Sequence, residues 1–287
     1  MVQDADVAAD LTARPESRGE TAGAQRTRFW GRGFLENLLP FVILAVLWEG
    51  IVQIGVFPRL LMPSLGEVAT TFVSMVKDGS LFMHVGTSLM RLMVGFVIGS
   101  AIGIAIGLLM GQLRWAEKFF LPLLSALMPI PSLAWIPLFV LWFGLGNTAT
   151  LGVIIFASAL PTAFNTWTGV KTVSPVTLRA AESMGCAGPK MFTHVIFPAA
   201  LPMIFAGLRI GLSQGWRALV AGEMLAATNW GLGYGIFEAR EFLATDVMLV
   251  LVMTIGLCGF LIVSLLFSFI ERRTVVRWGM LKGELGA

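Results

Sequence analysis

Apolar residues in this 287-residue chain fall into long unbroken runs, not into the alternation of a half-buried strand or the stripe of a soluble helix. Six such runs, near 37–57, 88–112, 119–142, 149–168, 200–223 and 247–270, predict six membrane-spanning helices. At a rise of about 1.5 Å per residue, about twenty residues cross a hydrocarbon core of roughly 30 Å. The polar segment between the fourth and fifth runs is too long and too helix-forming for an ordinary connection. Within it, Pro175 and Thr177 can start a short helix, and Ala180 and Ala181 leave a flat surface. Gly185 and Gly188 let the backbone turn, Pro189 suits the first position of a second short helix, and Pro198 and Pro202 set the way into the fifth run. Met184, Met191 and Phe192 are apolar knobs for a partner's groove.

Composition agrees with a membrane protein: 56% of residues are hydrophobic and 13% charged, about half the charge of a soluble domain. The net charge of +3 carries no argument for nucleic acid. Basic residues instead mark topology. Arg26, Arg28, Arg32, Arg114, Lys118, Lys171, Arg179, Lys190, Arg272, Arg273, Arg277 and Lys282 fall on one side of the six runs. The positive-inside bias therefore predicts that both termini and the 169–199 segment are cytoplasmic. Residues 1–33 have no apolar run and are expected to be a disordered cytoplasmic tail, with a transmembrane domain over 34–280 and a short tail over 281–287.

Several features inside the runs invite a chemical reading. Gly95, Gly99, Gly103, Gly107 and Gly111 form one side-chain-free stripe on the second span, either a packing seam within the chain or a pore-lining or subunit-facing one. Pro122, Pro129, Pro131 and Pro137 predict that the third span kinks or unwinds, making 128–134 a candidate pathway segment. Arg91, Arg209 and Arg217 are costly in a bilayer unless paired or facing water, so Arg217 and Arg91 are candidates to present positive charge to an anion. The alternative is an internal ion pair, such as Arg217 with Glu223, and Glu49 in the first span is expected to be interfacial or paired. The glycines at 231, 233 and 235 are read as an external loop.

Other chemistries lack their residues. Cys186 and Cys258 are far apart, and His84 and His194 have no metal-ligand spacing, so no disulfide or metal centre is expected. No G-x-x-x-x-G-K-[ST] run exists to cradle a nucleotide, and no Ser/His/Asp or paired-carboxylate constellation is present. A proton-coupled secondary transporter would need a midplane carboxylate relay and inverted repeats; no Asp lies within a span and no repeat is visible.

The stretch RAAESMGCAGPKMFTHVIFP (Arg179–Pro198) resembles the cytoplasmic coupling loop of binding-protein-dependent ABC importer permeases, whose pattern is Glu-Ala-Ala, three residues, Gly, nine residues, then Ile-x-Leu-Pro. Ala180, Ala181, Gly185, Val195, Phe197 and Pro198 are in register, while Arg179 stands in place of Glu and the nearest acid is Glu182. LMPSLGEV (Leu61–Val68), PIPSLAWIPLFVLWFGLG (Pro129–Gly146) and GLRIGLSQGWRALVAGEML (Gly207–Leu225) are similar to the nitrate/sulfonate/taurine branch, and EFLATDV (Glu241–Val247) to its taurine-type members. The resemblance covers residues 38–280. It implies an all-α, MetI-like type I permease with about six spans, not an enzyme, and without cofactor of its own. ATP and magnesium would sit on two cytoplasmic ATPase subunits docked on a coupling loop at 172–199, through Arg179, Ala180, Ala181, Glu182, Gly185 and Pro198. An external solute-binding protein and a second permease copy, as a homodimer in a bacterial inner membrane, are implied as well. The expected solute is a small anion, most closely an aliphatic sulfonate or taurine, with nitrate, bicarbonate and thiamine precursors as alternatives. The candidate pathway residues are Arg91, Pro129, Pro131, Trp216, Arg217 and Glu223.

Overall fold

A computed structural model describes residues 29–274, with side chains over 39–262. Most of the expected 1–33 tail and all of the 281–287 tail, with Arg26, Arg28 and Lys282, lie outside the described residues. Two units divide the chain, Met1–Arg59 and Leu60–Ala287. The first contributes α1 (Phe29–Ile54), whose Leu39–Ile54 stretch is apolar and largely exposed, with Gln53 donating to Glu49 one turn away at 3.0 Å.

The second unit is a helical bundle, and no strand occurs among the described residues. It opens with a helix that the run-counting does not anticipate, α2 (Leu65–Lys77). Ser64 and Glu67 start it by a reciprocal capping box: the Glu67 amide donates to Ser64 Oγ at 3.2 Å and the Ser64 amide to Glu67 Oε2 at 2.8 Å. Its apolar face is only thirteen residues long, too short to register as a span. α3 (Ser80–Gln112) begins eight residues before the expected second span, because His84 and Ser88 interrupt the apolar pattern without breaking the helix. Four helices among the described residues are long and apolar enough to cross a membrane, five if the broken third span is counted as one.

That third span is two helices, α4 (Arg114–Leu127) and α5 (Ile136–Phe143), joined by a 3-10 turn at Ser132–Trp135 and bent by 98°. The break falls on Pro129-Ile130-Pro131, where two residues lack amide donors and cannot continue the helical hydrogen bonding past Met128. α6 (Asn147–Lys171) is the central helix. α7 (Pro175–Ser183), α8 (Pro189–Met191) and α9 (Phe197–Ala226) follow, the last two joined through a π turn at Phe192–Ile196 into one run of 38 residues, Pro189–Ala226. Pro198 and Pro202 therefore lie inside a continuous helix and do not open it, contrary to the expected start near 200. α10 (Leu232–Glu241) and α11 (Thr245–Thr274) complete the chain. α10 replaces the loop expected at Gly231, Gly233 and Gly235.

Glycine stripes set how closely the central helices approach. A Cβ on Gly99 would lie 2.5 Å from the Ile155 carbonyl oxygen, and one on Gly103 2.6 Å from that of Ala159. The stripe on α3 is thus a seam against α6 within one chain, which resolves the three readings left open above. A second stripe faces α6 from the other side: a Cβ on Gly207 would meet Asn165 at 2.7 Å, and one on Gly211 would meet Thr162 at 2.7 Å. Where lipid gives no apolar drive for association, such backbone contact supplies the packing energy.

Candidate functional site

Three constellations occupy successive levels of the bundle. At the end where α6 runs into α7, the connector is built as a rigid turn. Ser174 caps α7 by accepting from the Val176 amide at 3.3 Å, and Pro175 takes the first helical position. α7 ends in a Schellman turn: the Cys186 amide donates to the Ala181 carbonyl and that of Gly185 to Glu182, both at 2.9 Å. Gly185 has φ +78° and Gly188 φ +57°, so the two glycines are required by backbone conformation. Arg179, Ala180, Glu182 and Gly185 are exposed and Ala181 half-buried, while Pro198 sits half-buried at the start of α9. Of the expected apolar knobs, Met184 projects with 87% of its surface exposed, but Met191 is buried and Phe192 half-buried.

Midway along the bundle the broken span leaves a cleft of ≈ 180 Å³, lined by Pro129, Ile130 and Pro131 at the break, by Phe156 and Pro161 of α6, and by Ile210 and Gln214 of α9. Arg217 is one turn beyond Gln214 on the same face and is exposed; Arg209, four residues before Ser213, is exposed on the adjoining ridge. The Arg217 Nε donates to the Ser213 carbonyl at 3.4 Å, and neither arginine has a carboxylate partner among the described residues. The open face of α9 therefore carries Arg209, Ser213, Gln214 and Arg217, with the two cations about 12 Å apart along the axis. The open face of α3 is instead Met90, Met93, Val94, Val97, Ile98 and Ile102. An arginine facing hydrocarbon costs roughly 2.5–3.5 kcal/mol, so the polar face of α9 stands against water or protein and the face of α3 suits lipid or an apolar partner. Trp216, expected with Arg217, points the other way: it is buried, with its indole against Gly259 of α11.

At the opposite end from α7, Arg91 and Glu223 meet in a buried ion pair, Nη1 to Oε1 at 2.8 Å. Glu223 therefore pairs with α3 and not with Arg217. All five N–H donors of Arg91 are used: Nε to Asn147 Oδ1 at 2.8 Å, Nη1 to Glu223 and the Trp230 carbonyl, Nη2 to the Asn229 carbonyl and Oδ1. Ser88 Oγ donates to the Glu223 carboxylate at 2.8 Å and accepts the Leu232 amide at 2.8 Å, and the Gly233 amide donates to Glu223 Oε2 at 3.0 Å. His84 Nδ1 lies 2.8 Å from the Gly231 carbonyl. Arg91 thus presents no free charge to a passing anion in this structure. Taking away either partner would strand a buried charge, at roughly 3–5 kcal/mol. The sequence held a signal for this cluster: His84, Ser88 and Arg91 share one face of an otherwise apolar helix.

With this architecture in hand, comparison with known proteins gives a consistent answer. The chain belongs to the family described as the binding-protein-dependent transport system inner membrane component, which matches residues 99–276. It is 36% identical over 225 residues to the taurine transport system permease protein TauC of Escherichia coli, covering 77% of this chain and 82% of that protein. A permease named for aliphatic sulfonates, SsuC of Escherichia coli, is 38% identical over 77% of this chain and 83% of its own length. The riboflavin transport system permease protein RibX of Chloroflexus aurantiacus is 35% identical, covering 83% of this chain and 87% of that one. In fold, the chain is similar to the MetNI methionine ABC transporter in inward facing conformations, with a TM-score of 0.55 at 21% identity over 68% of this chain and 95% of that one. A chain of an amino acid ABC transporter gives 0.56 at 22% identity over 70% and 98%. The protein is a multi-pass ABC transport permease with the MetI-like fold, a transport subunit whose ATP hydrolysis belongs to a separate ATPase.

Proposed function

We propose that this chain is the permease of an ATP-driven importer for a small anion, most closely an aliphatic sulfonate or taurine. The observation that carries the anion is the open face of α9, where two exposed arginines with no carboxylate partner among the described residues, a glutamine and a serine flank the mid-depth cleft. A sulfonate spreads one negative charge over three acceptor oxygens, which guanidinium N–H donors match. The sulfonate and taurine relatives favour this solute class. In this reading α7 is the coupling helix for two cytoplasmic ATPases that hold ATP and magnesium, and both termini are cytoplasmic. A solute-binding protein delivers solute at the Arg91 end, and a second copy closes the path over α9.

The test is uptake into vesicles holding the complex co-purified from its native membrane. Ethanesulfonate and taurine should accumulate with ATP, and Arg217→Gln and Arg209→Gln should each lower that uptake about ten-fold, the effect of losing about 1.4 kcal/mol of anion stabilisation. Accumulation of neutral riboflavin at a rate indifferent to both substitutions would overturn the anion reading and favour a solute like that of RibX.

A further inference from the structure

α10 is a ten-residue helix turned back into the bundle, where the side chains of Leu232 and Ile236 are buried in the apolar core. Its first amides meet charge and hydroxyl: Gly233 N–H reaches the Glu223 carboxylate and Leu232 N–H the Ser88 hydroxyl. A carboxylate at a helix N-terminus is favoured by the helix dipole, and here Arg91 neutralises what remains. The glycines are what permit this approach. A Cβ on Gly231 would lie 2.7 Å from both Arg91 Nη1 and Glu223, one on Gly233 2.3 Å from the Val220 carbonyl, and one on Gly235 2.8 Å from Leu251. Arg91 also holds the elbow before α10 by its backbone, through the Asn229 and Trp230 carbonyls, and Trp230 is kept there at φ +22°. One guanidinium fork thus joins α3, the first residue of α6, the last turn of α9, and the elbow.

We propose that Arg91 and Glu223 are positioning residues for transport: they latch the elbow and α10 to the end of α9, so that this cap moves with α9 when the path opens and closes. The proposal rests on the chain's working as an ATP-coupled permease and not on the solute's being an anion. His84 is a second hold on the elbow, at the Gly231 backbone and against the Trp230 ring, but it reaches from α3 alone, whereas the Arg91 fork also bridges to Glu223 of α9. The seams of α3 and α6 do not involve it, so losing the latch loosens the cap, which Leu232 and Ile236 still seat in the core, without dissolving the bundle. ATP hydrolysis then proceeds while the outer end fails to close in step, and solute moved per ATP falls.

The experiment uses the assembled complex with Cys186→Ser, Cys258→Ala and Ala239→Cys as the starting background. Ala239 is a small buried residue on α10, so its thiol reports undocking by maleimide labelling. Arg91→Lys, which keeps the charge, should raise the labelling rate about ten-fold, and Glu223→Gln, which strands the Arg91 charge, more than about a hundred-fold. Lysine keeps the charge but cannot fork, so it separates the latch from simple neutralisation. Both variants should retain ATPase activity yet move several-fold less solute per ATP. A merely structural role would lower assembled complex, hydrolysis and uptake together and leave their ratio unchanged. Ser88→Ala, which removes one hydroxyl bridge and keeps the ion pair, gives the same readouts in smaller measure should the charge variants not assemble. Unchanged labelling together with an unchanged uptake-to-ATP ratio, in whichever variants assemble, would overturn the proposal; indifference to solute charge would not.

Discussion

Adding one methyl group to α3 gives opposite results at two glycines of the same helix. At Gly86 nothing lies within 4 Å of an added Cβ, so Gly86→Ala gains helix propensity, about 1 kcal/mol, at no packing cost. At Gly99 the Cβ would lie 2.5 Å from the Ile155 carbonyl oxygen and 3.0 Å from Ile155 Cα. A comfortable carbon-to-oxygen contact is about 3.3 Å or more, so the helices must part by roughly 0.8 Å or the backbone must bend. Such overpacking costs about 1–3 kcal/mol, and no side chain can rotate away because the obstacle is backbone. Gly99→Ala should therefore be less stable than Gly86→Ala by that amount, the propensity gain being common to both. In a chain of this size each kcal/mol shifts a thermal midpoint by roughly 2–4 °C, which a melting experiment on the purified complex in detergent resolves. A Gly99→Ala midpoint equal to or above that of Gly86→Ala would refute the seam.

Two further substitutions probe local backbone chemistry. Gly185→Ala places a Cβ in the left-handed region at a cost of about 1–2 kcal/mol, with no atom nearby to clash, so the α7 turn should loosen and ATP-coupled uptake fall. Gly185→Asp should abolish uptake, and Gly185→Asn, which tolerates that backbone, should keep most of it; normal uptake by the Asp variant would remove the connector's role. Ser64→Ala deletes one half of the capping box and should cost about 1 kcal/mol, seen as faster hydrogen exchange confined to the first turn of α2. Unaltered exchange at Glu67 would count against the cap.

The long apolar runs and the connector were legible because both are local. Run length alone locates α6 and α11 to within a few residues, and Pro129-Ile130-Pro131 announces its own break. The connector is readable because its turns demand glycine at 185 and 188 and proline at 189. α2 and α10 were hidden for opposite reasons. α2 is amphipathic and short, while the α10 sequence, LGYGIFEARE, carries glycines that signal a loop until the groups they must approach are known. Partners across helices were the least legible. Glu223 has Arg217 six residues away in sequence, yet its partner is Arg91, 132 residues distant. The polar face of α9 lay between the two: Arg209 and Arg217 were visible, but only the opposite orientation of Trp216 shows which side is open.

The π turn at Phe192–Ile196 has a consequence for heading. Its amide-to-carbonyl bond from Phe197 to Phe192 spans five residues instead of four, so the helix carries one residue more per turn there than its neighbours do. Each residue of an α-helix is worth about 100° of azimuth and 1.5 Å of height. Because the surplus residue is absorbed within that one wide turn, excising it would restore a regular helix with the connector's bearing nearly unchanged, whereas the same residue added to a regular helix would swing the connector by that 100°. The wide turn therefore lets the segment between α7 and α9 hold one residue more without turning α7 aside, so the length of that segment and the bearing of α7 are set independently.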